Sequence, residues 1–264
     1  MATVKEVYQV LDRFAPFRTQ MGFDNAGLLV GDEQAEVTRV LVSLDITLPV
    51  IREAAELGAQ LIVAHHPVIF DPVKSIVAGD PTSDKLVALI RNNISAICAH
   101  TNLDVAVGGV NDALAEALDL KEIEVFLTDG LDVQGRPYGL GRIGVMEKPC
   151  ALPEFAATVK RKLHAGSVRY VDPGRPVRRV AVGGGACGGC LRDAWLKGCD
   201  VLVTSDVKYD VFLDAEALGI GLIDAGHFPT ENVVLPVLCR VLQEAFPQLD
   251  VQVSRTHREV FSCL

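Results

Sequence analysis

Apolar and polar positions alternate between short β-type runs and stretches of helical spacing. The segment MATVKEVYQVLDRFAP (1–16) predicts an amphipathic helix. TRVLVSLD (38–45) predicts a strand, and LPVIREAAELG (48–58) a helix ended by Gly58. AQLIVAHH (59–66) follows as a strand, then an irregular loop over 67–82 rich in Pro, Asp and Gly. SDKLVALIRNN (83–93) predicts a helix capped by Ser83, ISAICAH (94–100) a strand, and GVNDALAEAL (109–118) a helix. That βαβαβα order predicts a mostly parallel sheet covered by helices on both faces.

The pattern changes over 129–149, where GLDVQGRPYGLGRIGVMEKP is rich in Gly and Pro and YGLGRIGVM (138–146) predicts an extended strand. A second series follows: helix 152–164, strand 177–184, helix 186–198, strand 200–206, helix 207–219 and strand 220–227. A long helix is expected over 229–245, with LDVQVS (249–254) as a closing strand. The expected organisation is two α/β lobes with mostly parallel or mixed sheets. The first spans 1–128, with 247–264 returning to it, and the second spans 129–246. The two series share a layout without a convincing sequence repeat.

With 49% hydrophobic residues in 264, the chain can bury a sizeable core. No apolar run reaches the roughly 18–20 residues that cross a bilayer. The N-terminal segment lacks the long apolar stretch of a secretion signal. A net charge of -9 and pI near 5.2 give no electrostatic case for nucleic acid. The short basic cluster Arg175, Arg178 and Arg179 reads as a solvated strand edge. Seven cysteines, an odd count mostly in apolar patterns, suit a reducing cytoplasm. Cys187 and Cys190 form a C-x-x-C within GGGACGGC, where small residues at a crowded turn are the simpler account than a redox pair.

Three predicted strands end in metal-ligand residue types. LIVA ends in His65-His66, ISAICA in His100 with Asp104 four residues on, and IGLIDAG in His227 with Glu231 four residues on. Ligands collect beyond the carboxyl ends of parallel strands, so these ends are candidates for one pocket. Adjacent side chains on extended backbone point to opposite faces. His65 and His66 therefore suit two neighbouring ions, one each, unless the chain bends. Pro229 suits the start of a helix, which places Glu231 in its first turn and His227 just before it. Asp104 is the stronger ligand candidate of its pair. His100 is read as an outer partner, a proton shuttle or a further ligand, with a core hydrogen bond as the plain alternative. Asp206, after DVLV, either borders the pocket or caps a helix. Nitrogen and oxygen donors without cysteine point to an open site for Zn, Mn or Fe rather than a structural zinc knuckle. His164 and His257 have no such context. The GGG at 183–185 lacks a phosphate-loop pattern and suits close backbone packing.

Several of these stretches together resemble the Nif-three-like dinuclear metal-centre family, the GTP cyclohydrolase I type 2 homologues. They are DNAGL (24–28) with Gly31, SLDIT, AHHPVIF, AHTNLD, TSDVKYD and IDAGHFPTEN, in order along nearly the whole chain. The resemblance implies two divalent ions per chain held by His65, His66, Asp104, His227 and Glu231. It also implies a ring-shaped homohexamer, and a nucleotide such as GTP as substrate. Some members insert a domain between the lobes, for which this chain is too short. Members often carry a histidine after the tyrosine of the KY segment, where this chain has Asp210. The expected activity is that of a metal-dependent hydrolase on a small substrate, with His100 and Asp206 as proton-transfer candidates. The competing expectation is a non-catalytic metal-binding, regulatory or scaffold protein.

Overall fold

A computed structural model describes residues 2–264. The chain forms β1 (Ala2–Thr3), α1 (Val4–Phe14), β2 (Gly27–Val30), β3 (Glu36–Val37), β4 (Arg39–Ser43), α2 (Leu48–Leu57), β5 (Leu61–Ala64), α3 (Pro81–Arg91), β6 (Ser95–Cys98), α4 (Thr101–Val105) and α5 (Val110–Ala117). It continues with β7 (Lys121–Leu131), β8 (Pro137–Cys150), α6 (Leu152–Lys162), β9 (Arg169–Val171), β10 (Val177–Val182), α7 (Leu191–Leu196), β11 (Val201–Thr204), α8 (Tyr209–Leu218), β12 (Gly221–Asp224), α9 (His227–Asn232), α10 (Leu235–Ala245) and β13 (Asp250–Val253). The α/β class expected from the pattern is what is observed. No helix among the described residues is long and apolar enough to cross a membrane.

Two compact units divide the chain, 1–106 with 235–258 and 107–234 with 259–264. The division precedes α5, and position 128 lies inside β7. Residues 107–128 belong with the second unit for an evident reason. Arg142 of β8 is only 2% exposed, and the Asp112 carboxylate of α5 grips its guanidinium at 2.7 and 2.8 Å. A buried charge of this kind requires its partner.

The first unit carries a five-stranded sheet of order β13-β4-β5-β6-β2, parallel except for β2, which runs antiparallel to β6. The second carries six strands ordered β7-β8-β10-β11-β12-β9, in which β10, β11 and β12 are parallel and the others antiparallel. Both sheets are thus mixed. Each contains three parallel strands in chain order with an antiparallel strand on the third, β2 on β6 and β9 on β12. This is the shared layout without sequence repetition.

The parallel strands read as continuous apolar runs because both faces are covered. In the second unit Val180, Val182, Val201, Val203 and Ile223 face α5 and α6, packing on Leu114, Leu152 and Phe155. The alternate residues Ala181, Leu202 and Leu222 pack with Leu191, Ala194 and Ala215 of α7 and α8. In the first unit Leu41, Ile62, Ala64 and Ala96 pack on Val50, Ile51 and Ala54 of α2 and Leu86 and Leu89 of α3.

Caps explain most helix ends and several departures from expectation. Thr47 caps α2, and Gly58 ends it at φ 66°, a conformation glycine adopts without strain. Helix α3 begins two residues before Ser83, because Asp80 accepts from the Ser83 N–H and Pro81 follows as the first helical residue. The expected helix over 186–198 is shorter. A 3-10 turn, Gly188–Cys190, precedes α7, since two glycines weaken the helical start. The expected helix over 229–245 is two helices. Pro236 has no N–H to give to Asn232, so the chain breaks at Val233–Val234 and α10 starts afresh. The strand β7, not anticipated, pairs with β8 as a long hairpin closed at Asp132, whose carboxylate accepts from the Gln134 and Arg136 N–H groups.

Candidate functional site

In the first unit, β5 and β6 deliver their last residues to neighbouring loops. His65 and His66 follow β5, and their N–H groups still donate to the Ser43 and Leu44 carbonyls, continuing the ladder onto the β4 edge. The chain bends at this point, so the two rings do not diverge as extended backbone requires, and their centroids lie 4.9 Å apart. His100, following β6, lies 5.2 Å from His65 and 5.6 Å from His66, ring to ring. The three rings can each offer a nitrogen within 4.8 Å of the others. Asp104 sits at the fourth position of α4, with Oδ1 3.6 Å from His65 Nε2.

What faces the other ring nitrogens decides the chemistry. His65, fully buried, places Nδ1 2.8 Å from the Ala99 carbonyl. A carbonyl only accepts, so Nδ1 carries the proton and Nε2 keeps its lone pair. His66 Nδ1 meets Asp45 at 2.8 Å, and His100 Nδ1 meets Asp24 at 2.7 Å. Each histidine is thereby oriented with its lone pair on Nε2, the tautomer in which imidazole binds metal. Burial works against an ionised Asp24. Hydrogen bonds from His100 and from Thr101, through its hydroxyl and its N–H, outweigh that and hold the carboxyl well below the usual carboxylate range.

The second unit repeats the device. β12 ends at Asp224, Gly226 turns the chain at φ 87°, and α9 begins at His227. The helix starts earlier than Pro229, so His227 lies within it and faces Glu231 one turn on, with Nε2 and Oε2 3.1 Å apart. Asp206 follows β11 and caps no helix. Its backbone sits at φ 51°, and its carboxylate is 2.6 Å from His227 Nδ1. With that proton donated to Asp206, Nε2 presents its lone pair towards a carboxylate. Two acceptors facing each other at this distance suit a shared cation.

The glycines at 183–185 form the bed of this half. A Cβ on Gly185, at φ 62°, would lie 2.2 Å from Glu231 Oε1 and 3.3 Å from His227 Nε2. The Gly185 N–H donates to Thr230 Oγ1 and the Gly184 N–H to Asn111 Oδ1. The turn serves close packing, as its composition suggested, and what packs there is the Glu231 carboxylate. A cavity of about 200 Å³ opens beside His227, lined among others by Arg169, Asp206, Asp224 and Glu259. Asp224 anchors its wall, accepting from the Val207 N–H and pairing with the Arg169 guanidinium.

Each unit therefore presents imidazole nitrogen and a buried carboxylate, residue types that could hold a metal ion. Asp24 and Asp45, which orient two of the histidines, were not singled out from residue chemistry. Their signal was their place in DNAGL and SLDIT.

The class these features define is a two-unit α/β protein with histidine–carboxylate groups at the carboxyl ends of its parallel strands. Sequence comparison places it more narrowly. The model of the Duf34/NIF3 (NGG1p interacting factor 3) family matches residues 2–259, and the chain belongs to that family. A relative from Clostridium perfringens, named GTP cyclohydrolase 1 type 2 homolog, is 32% identical over 251 residues, covering 95% of this chain and 94% of the relative. The crystal structure of a Bacillus cereus protein related to NIF3 superposes with a TM-score of 0.94 at 27% identity, covering 100% of both chains. A Staphylococcus aureus crystal structure gives a TM-score of 0.94 at 32% identity, covering 100% of this chain and 99% of the other.

Proposed function

We propose that His65, His66, Asp104, His227 and Glu231 hold two divalent metal ions, and that the protein is a metal-dependent hydrolase acting on a nucleotide or related small molecule. The observation that carries this reading is the common orientation of the imidazoles. All four histidines, His65, His66, His100 and His227, turn Nδ1 to an oxygen acceptor, which puts the ring lone pair on Nε2. When bound, two such ions supply Lewis acidity and lower the pKa of water. His100 is the proton carrier in this scheme, with Asp24 holding its ring. Asp206 positions His227 rather than moving a proton itself. Zinc, manganese and iron all accept this donor set. The name carried by the Clostridium perfringens relative motivates the nucleotide class, with ring opening of GTP as its sharpest form. We further place the protein in the cytoplasm as a homohexamer, from its cysteine usage and its family resemblance.

One observation favours a second reading, a metal-binding protein without catalysis. The cavity beside His227, about 200 Å³, is smaller than the roughly 300–1,000 Å³ of ordinary small-molecule pockets.

Metal analysis of the purified protein tests the centre directly. Close to two ions per chain are expected, with most lost in Glu231→Ala and in His65→Ala. Full metal content in Glu231→Ala would refute the proposal. A panel of nucleotides, phosphoesters and cyclic amides, supplied with Mn, Zn or Fe, should show turnover that disappears in His65→Ala. A silent panel on fully loaded protein would select the second reading. Native mass measurement should find six chains.

A further inference from the structure

The C-x-x-C of the second unit is not used by the proposed function, yet it continues the glycine turn against which Glu231 packs. Cys187 Sγ and Cys190 Sγ lie 3.2 Å apart, in hydrogen-bond contact across the 3-10 turn Gly188–Cys190. A disulfide is about 2.05 Å long, so closure requires the sulfurs to approach by only about 1.1 Å. The Cys190 N–H already donates to the Cys187 carbonyl at 3.0 Å, which holds the turn in the closed shape a bridge needs. Cys187 is buried and Cys190 is half-buried, which makes Cys190 the more accessible residue of the pair.

The packing of Cys187 adds a consequence. A Cβ on Gly183 would lie 2.6 Å from Cys187 Cβ and 2.7 Å from its Sγ. The same tripeptide seats Glu231, with Cγ 3.5 Å from a Cβ on Gly184 and Oε1 2.2 Å from one on Gly185. Its ties to the rest of the unit run through the same residues. The Cys187 N–H donates to Thr204 Oγ1, Thr204 Oγ1 donates to the Gly185 carbonyl, and the Ser205 N–H donates to that carbonyl as well. The Cys187 backbone is thus tied into the bed on which the carboxylate rests, and its sulfur packs against that bed at Gly183.

We propose that Cys187 and Cys190 are a redox-active dithiol that closes reversibly to a disulfide, and that closure loosens the Gly183–Gly185 turn under Glu231. The oxidant is a small-molecule disulfide of the glutathione class. The Cys190 thiolate attacks one sulfur of that disulfide, forming a mixed disulfide and releasing one thiolate, which takes up a proton. Cys187 then attacks the Cys190 sulfur, its proton passing to the second thiolate as that thiolate leaves. The protein dithiol is oxidised by two electrons, and one external disulfide becomes two thiols. Cys190 suits the first step. The hydrogen bond from Cys187 lowers its pKa against the opposing effect of burial, enriching the reactive thiolate. Cys98 and Cys239 are poorer nucleophile candidates, because burial pushes Cys98 up to about 12 and Cys239 up to about 11.

The test uses the intact protein, without added metal, equilibrated in mixtures of reduced and oxidised glutathione. Alkylation and non-reducing peptide mapping should show the peptide spanning 187–190 unalkylated and about 2 Da below its free-dithiol mass in oxidising mixtures, and carrying two alkyl groups in reducing ones. Hydrogen exchange at the amides of 183–187 should accelerate at least tenfold on oxidation. Cys190→Ser should show neither change while keeping the wild-type exchange pattern of reduced protein. Absence of the bridged peptide under full oxidation would overturn the dithiol. A bridge that forms with unchanged exchange at 183–187 would overturn the loosening. Neither readout contains a metal ion, so the outcome is separate from that of the metal-binding proposal.

Discussion

Replacing Gly185 by alanine tests the architecture of the second half-site most sharply, because the structure supplies its own control. Gly185 and Gly219 have nearly the same backbone, φ 62° and φ 66°, so alanine is strained at both. That left-handed cost is about 1–2 kcal/mol for a residue with a Cβ. Around Gly219, which ends α8, nothing lies within 4 Å of a new Cβ, so Gly219→Ala should lose only this amount. At Gly185 the new carbon would meet Glu231 Oε1 at 2.2 Å, Glu231 Cδ at 3.2 Å and His227 Nε2 at 3.3 Å. Glu231 is buried, so its carboxylate has little room to withdraw. Overpacking of this kind costs typically about 1–3 kcal/mol. The expected loss at Gly185 is therefore about 2–5 kcal/mol, against about 1–2 kcal/mol for the control. Urea denaturation followed by circular dichroism gives both values. Metal titration should show a weakening at least as large as loss of an orienting partner, roughly tenfold to a hundredfold, in Gly185→Ala alone. If the two variants lose equal stability and bind metal equally, Glu231 is not seated on the glycine turn.

Asp206→Asn removes the charge that orients His227 while keeping a side chain that tolerates φ 51°. Metal affinity should fall roughly tenfold to a hundredfold in a metal titration, with the urea midpoint unchanged. In the first unit, Glu53 accepts from the Ser254 and Thr256 hydroxyls and from the Arg255 and Thr256 N–H groups, pinning the returning C-terminal segment. Burial opposes its ionised form, but these hydrogen bonds prevail and lower its pKa. A lowered folded pKa gives stability that is fully present above the unfolded value, about 4.3, and is lost as pH falls through the folded one. Denaturation midpoints of the wild type should therefore decline below about pH 5 more steeply than those of Glu53→Gln, and parallel curves would refute this role.

The parts of the fold that were legible in the sequence are those governed by neighbours in the chain. LIVA, VLVT and GLID are apolar at every position because helices cover both sheet faces, and that composition marks a buried parallel strand. The strand β7 escaped notice because the hairpin it forms is largely exposed, so KEIEVFLTDGL has few buried positions to set a period. The split between α9 and α10 was available in Pro236, but an unbroken apolar spacing over 229–245 masked it. The bend at His65-His66 was harder. It depends on the Ala99 carbonyl and the Asp45 carboxylate, 34 and 21 residues away in the chain.

The candidate site shows the same division between local and distant causes. His100 with Asp104 and His227 with Glu231 are both four residues apart after the third parallel strand of their sheet, His100 lying just before α4 and His227 opening α9. Within α9 that spacing sets two side chains on one helical face, so the His227 imidazole and the Glu231 carboxylate meet without help from the rest of the fold, whereas Asp104 meets His65 from the neighbouring strand end. The orienting acids obey no such rule. Asp24 reaches His100 across 76 residues, and Asp206 reaches His227 across 21, because each comes from a separate loop at the strand ends. An isolated imidazole exchanges its proton between two nitrogens freely, and the chain pattern says nothing about which one is left to bind. The tertiary fold makes that choice, by placing an oxygen acceptor behind each ring. A donor set can thus be recognised from the sequence, whereas its competence to bind depends on carboxylates and a carbonyl that only folding brings into place.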